Sequence, residues 1–181
     1  LGVGIYYSGR AGTFQQFNAS VSRQKELVMA SINTGKVVAG GLLAGLVANA
    51  FDFVTNTYIL AADWQAWATS HNLDPGAMTA PNVAGTWIAI DFLFGILLVW
   101  TYAAMRPRFG PGAKTAIFAG LVIYLAATLV LFGFTMMGMM TMTLFVKGSC
   151  SAIISTLVAS VAGAAIYKEE GSPATGAAYA R

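Results

Sequence analysis

The sequence predicts an all-α fold, a four-helix transmembrane bundle with a short amphipathic outer segment. Three observations carry this. Over 181 residues the chain is 57% apolar and only 9% charged, with a mean hydropathy of +0.67, whereas soluble domains carry about a quarter charged residues. Four apolar runs reach the ~20 residues that a bilayer crossing needs. The runs are continuous and lack strand alternation, which argues against a transmembrane barrel. Lipid offers no partner to backbone N–H and C=O groups, so each run must be helical.

In chain order, a leader over 1–28 is polar and bears Gly, Ser and Gln. It reads as weakly structured. Codons AAG-GAG for Lys25–Glu26 would form a ribosome-binding sequence just before Met29, so the leader is also read as possibly non-native. Asn18-Ala-Ser matches a glycosylation pattern, without consequence on a cytoplasmic bacterial tail. The membrane domain covers 29–170, and 171–181 reads as a flexible cytoplasmic tail. The expected spans are 37–60, 83–105, 115–137 and 143–167.

Basic residues set the expected orientation. Arg10, Arg23, Lys25 and Lys36 precede the first span, Arg106, Arg108 and Lys114 fill the second connection, and Lys168 and Arg181 follow the fourth span. The 61–82 connection has no Lys or Arg. This places both termini and the 106–114 loop in the cytoplasm, in a bacterial inner membrane, with 61–82 outside. A net charge of +3 is too small to indicate nucleic acid. The single cysteine, Cys150, excludes an internal disulfide.

The outer connection contains a candidate short amphipathic helix at 63–71, with Trp64 and Trp67 on one side. With Trp87 in the second span, these are expected interface anchors, since indole serves both an apolar ring and an N–H. Asp74-Pro75-Gly76 signals a turn. This connection reads as an interfacial cap, or alternatively as a docking lid. The inner connection holds two prolines and two glycines, expected to make a tight turn. Arg106, Arg108 and Lys114 would sit at head-group level, attracted by anionic lipid. There is no Gly-x4-Gly-Lys-Ser/Thr pattern for a nucleotide.

The run YAAMRPRFGPGAKTA at 102–116, with GLLAGLVANAFDF at 41–53, resembles a group of small four-span bacterial membrane proteins of unknown activity. The similarity spans roughly 29–170. The loop, of the type YAAxRPRFGPGxKTA, is its distinctive part. The resemblance implies the four-span architecture and no catalytic residue.

Small residues mark expected helix contacts. Ser151, Ser155, Ala159 and Gly163 recur every fourth residue, and Gly41-x-x-x-Gly45 stands in the first span. Such strips let backbones approach closely. They would serve either the bundle itself or a partner subunit or second copy. A weak internal echo, AGLV at 44–47 and 119–122, proves little in this composition.

Polar residues inside apolar spans are the functional candidates. Asn49, Asp52 and Asn56 are spaced +3 and +4, so they share a helix face. Asp91 is the second intramembrane acid. Counted from the expected outer ends, Asp52 and Asp91 both lie roughly 12 Å deep, and Lys147 lies close enough above for its stem to reach down. The expected site is therefore a polar cluster of Asn49, Asp52, Asn56, Asp91 and Lys147 in the outer half of the bundle. A carboxylate in hydrocarbon costs about 3 kcal/mol, so it must face inward, be protonated or be paired. Two adjacent acids favour one shared proton. The functional reading is a proton- or cation-linked site. The structural reading is interhelical hydrogen bonding with Lys147 neutralising one charge.

The run TMMGMMTM at 135–142 holds five methionines. Thioethers suit soft metals, and Cys150 and His71 are conceivable added ligands. The ordinary reading is a flexible apolar turn, and no metal or cofactor is expected. No HExxH, GxSxG or dinucleotide fingerprint is present, so the chain does not read as an enzyme. Two functions remain: an accessory or structural subunit of a larger membrane complex, and a small proton- or cation-linked transporter or channel using the paired carboxylates.

Overall fold

The structure, a computed structural model, describes residues 16–18, 20 and 32–167. The expected leader and tail thus fall outside the described residues, apart from 16–18 and 20, which are helical.

Residues 32–167 lie in one compact unit. Helix α1 (Thr34–Val54) opens on Asn33, whose side chain accepts from the Lys36 N–H at 2.9 Å, a standard cap. It runs directly into a π-helical turn, Thr55–Ile59. The short helix α2 (Ala61–Ser70) follows, then a 3-10 turn (Pro75–Thr79) capped by Asp74. Helix α3 (Pro81–Phe109) starts on a proline, which needs no N–H at that position. Helices α4 (Ala113–Met136) and α5 (Met142–Ile166) complete the chain, Thr141 capping α5. Four helices, Thr34–Ile59, Pro81–Phe109, Ala113–Met136 and Met142–Ile166, are long and apolar enough to cross a membrane. The chain is a multi-pass membrane protein, and α2 is a short helix in the connection where one was expected.

Below, the end of the bundle that carries α2 is called outer and the opposite end inner. Helix α1 packs on α3 and α5, and α4 packs on the other sides of α5 and α3, so α1 and α4 take opposite corners. The packed core is Val37, Ala44, Leu98, Val99, Tyr102, Ala116, Ala119, Ala159 and their neighbours, all toward the inner end. The helix exteriors are apolar and open, with Leu129 71% and Leu93 66% exposed, the surface that lipid solvates.

One connection differs from expectation. Residues 106–109 belong to α3, with Pro107 inside its last turn, and the turn proper is Gly110–Gly112. Arg106 and Arg108 fall in that last turn, where cations suit the carbonyl end of the helix. Gly110 and Gly112 adopt φ of 81° and 120°, which only glycine takes without strain.

Candidate functional site

The site begins with the fit between α1 and α3. A Cβ added to Gly41 would lie 2.5 Å from the Ile96 Cα, and one on Gly45 would lie 2.6 Å from the Phe92 Cα. A Cβ on Gly95 would collide with the backbone of Gly41 and Gly45. The helices therefore touch backbone to backbone, as small residues permit. One turn further out, Asn49 Nδ2 donates to the Gly45 carbonyl at 2.9 Å and to the Ile88 carbonyl at 3.3 Å. Contacts 41–96, 45–92 and 49–88 advance by four residues on each helix in opposite directions, which fixes the antiparallel register.

This register corrects the expected common depth of the two acids. Asn49 is level with Ile88. Asp52 lies three residues toward the outer end, and Asp91 lies three residues toward the inner end. The acids are thus staggered by roughly 9 Å along the axis, with Asn49 about midway. The sequence estimate counted from helix ends, but glycine contacts, not ends, set the register. The Cα–Cβ bond leans toward a helix's own N-terminus, so Asp52 leans inward and Asp91 leans outward. The two side chains therefore lean toward the level of Asn49.

Asp91 shares the stripe of Gly95, Leu98 and Tyr102, which are buried, and is itself half-buried. Asp52 is exposed. The expected inward-facing polar cluster is therefore an open seam on the α1–α3 side, where residues 84–90 of α3 are exposed.

Two expected members lie elsewhere. Lys147 forms an ion pair with Asp63 of α2 at 2.7 Å, because its long stem carries the ammonium outward to the cap. Asn56 turns to the cap: its Nδ2 donates to the Asp52 carbonyl at 2.9 Å, and its Oδ1 accepts from Trp64 Nε1 at 3.0 Å. The interior polar pair on this side is Thr55 with Ser151, joined hydroxyl to hydroxyl. The sequence reading missed it, because a single Thr and Ser on different helices carry no local signal.

The three tryptophans expected as anchors divide. Trp64 and Trp67 meet edge to face at 5.9 Å, and Trp67 Nε1 donates to the Met139 carbonyl at 3.0 Å, so α2 is tied down at several points. Trp87 is 62% exposed on α3, as a lipid-side ring would be.

At the inner end, Arg106 lies over the Tyr167 ring at 5.6 Å and so turns toward the bundle, not outward to head groups as expected. Arg108 and Lys114 are exposed there. Tyr167 meets Tyr102 edge to face at 5.9 Å, and each hydroxyl accepts a backbone N–H, from Asn33 at 3.3 Å and Gly112 at 3.2 Å. Two tyrosines thus join the inner ends of α1, α3 and α5 to the α3–α4 turn, a latch the sequence reading did not find.

The small-residue strip of α5 is used inside the bundle. Ser155, Ala159 and Gly163 are buried, Gly163 lies against Gly40, Ala44 and Val99, and Ser151 meets Thr55. As a face for a partner or second copy it is therefore occupied, because α1 offers the matching small residues. Among the described residues no group of three or more His, Cys, Asp or Glu forms a candidate metal cluster. No family model, curated protein or solved structure matches the chain.

Proposed function

We propose that the protein is a non-enzymatic accessory subunit of a larger bacterial membrane complex, docking through the outer half of the α1–α3 seam. The observation that carries this reading is Asp52, exposed in mid-span beside Asn49 and Asp91. Lipid against a carboxylate costs about 3 kcal/mol, and a partner helix that hydrogen-bonds it removes that cost. The exposed apolar residues nearby, Phe53 at 63% and Trp87 at 62%, would be covered by the same partner. The basic inner end, with Lys36, Arg108 and Lys114, favours an inner-membrane protein with both termini cytoplasmic. We read the run 102–116 as resembling that of small bacterial four-span proteins, which fits the same setting.

Photo-crosslinkers placed at Phe53 and at Leu129 in native membranes test this. A discrete protein adduct at Phe53, absent at Leu129 and abolished by Asp52→Leu, is expected. Lipid adducts alone at both positions would overturn the reading.

The stagger of Asp52, Asn49 and Asp91 along the axis favours a second reading, a proton- or cation-linked path along the seam. Liposome flux that is lost in Asp52→Asn with Asp91→Asn would favour it. Flux unchanged by that pair would remove it.

A further inference from the structure

The outer cap brings together two features that lie far apart in sequence, the single histidine and the methionine-rich turn. Helix α2 ends at His71 with Asn72 at φ 56°. Leu73 N–H donates to the Ala68 carbonyl and Asn72 N–H to the Thr69 carbonyl. Helix α4 ends at Met137 with Gly138 at φ 79°. Met139 N–H donates to the Phe134 carbonyl and Gly138 N–H to the Thr135 carbonyl. Both are Schellman endings, which fix the backbone just past a helix C-terminus. Trp67 joins them: His71 stacks on its ring at 4.6 Å and 31°, and its indole N–H holds the Met139 carbonyl.

Three properties of this junction favour a soft cation. First, His71 Nδ1 lies 2.8 Å from the Trp67 carbonyl. A carbonyl only accepts, so Nδ1 carries the proton, the Ser70 hydroxyl 3.0 Å from Nδ1 itself donates to the same carbonyl, and in the neutral imidazole Nε2 then keeps its lone pair on an exposed ring. That is how metal-binding imidazoles are oriented by their surroundings. Second, the thioethers of Met137, 73% exposed, and Met139, 54% exposed, stand on a fixed turn with flexible stems. Thioether and imidazole together select Cu(I)-like ions and do not suit Mg2+ or Ca2+. Third, the indole of Trp67, in the last turn of α2, reaches the turn that follows α4, and the carbonyl ends of helices attract positive charge, as does the face of the Trp67 indole.

We propose that the outer cap is a binding site for a soft monovalent cation, Cu(I) or Ag(I), held by His71 Nε2 and the thioethers of Met137 and Met139, with Trp67 as its backing. The site is separate from the α1–α3 seam and stands whatever docks there.

The test is Ag(I) titration of the full chain in chloride-free nanodiscs, in a Cys150→Ser background because the exposed thiol would itself bind silver. One Ag(I) per chain, with a change in tryptophan fluorescence that Trp67→Phe abolishes, is the expected result. His71→Ala is expected to weaken binding at least tenfold. Met137→Leu with Met139→Leu is expected to do the same, and leucine preserves the apolar volume of the turn, so this variant guards against a folding defect in the first. Anaerobic Cu(I) competition against a chromogenic chelator should give the same ranking. Absence of saturable Ag(I) binding at micromolar concentration, or binding that survives both sets of substitutions, would overturn the proposal.

Discussion

Gly95 and Gly85 lie ten residues apart on α3, yet their surroundings are opposite. A Cβ on Gly95 would collide with the backbone of α1, while a Cβ on Gly85 would meet nothing within 4 Å. The same contrast divides the whole bundle. The inner half is closed by glycine, alanine and serine contacts and latched by Tyr102 and Tyr167. The outer half is loose and is held by point contacts from α2. Charge follows the same division: among the described residues every acid, Asp52, Asp63, Asp74 and Asp91, lies in the outer half, and every Lys and Arg except Lys147 lies at the inner end. The inner half is thus the tightly packed part of the bundle and the outer half the polar, incompletely covered one.

The largest expected effect breaks the contrast directly. Gly95→Leu should cost about 3 kcal/mol or prevent folding, since overpacking a close helix crossing displaces backbone. Gly85→Leu should stay within about 0.5 kcal/mol of the native protein or stabilise it through helix propensity. Denaturant unfolding in detergent reads both, and equal effects would show that the two halves pack alike.

Next in size is Ser160, fully buried, whose Oγ donates to the Ala116 carbonyl at 2.7 Å across α5 and α4. Ser160→Ala should cost about 1 kcal/mol in the same unfolding measurement. Thr128→Ala, in the looser half of α4, should change little. The smallest effect belongs to the cap: Lys147→Ala removes an ion pair whose lysine is 47% exposed, worth at most about 0.5 kcal/mol, and less in high salt. A larger loss would mean that the cap carries more of the fold than its exposure implies.

These contrasts also mark what was legible in the sequence. The four spans were, because a run of apolar residues is a local property, and each observed helix begins and ends within a few residues of expectation. The face shared by Asn49 and Asp52 was legible from helical spacing alone. The register of α1 on α3 was not. It depends on Gly41 and Gly45 meeting Gly95, a match between distant segments that no periodicity announces. Lys147 was assigned to the intramembrane acids because Asp63 read as the start of a surface helix, and nothing local says that α2 folds back over α5. The strip Ser155, Ala159 and Gly163 announced close packing but not its partner, which α1 supplies through Gly40 and Ala44. Nothing local in the sequence singles out Tyr102 and Tyr167, and only the assembled inner end shows them accepting backbone N–H groups.

The stagger of the two acids about Asn49 is the claim on which the seam rests, and disulfide trapping in a Cys150→Ser background tests it most directly. A disulfide needs Cα atoms within about 7 Å. Asn49→Cys with Ile88→Cys should cross-link rapidly under mild oxidation, while Asp52→Cys with Asp91→Cys should not. Rapid cross-linking of the 52–91 pair and none of the 49–88 pair would put the acids level, and would contradict the register described here.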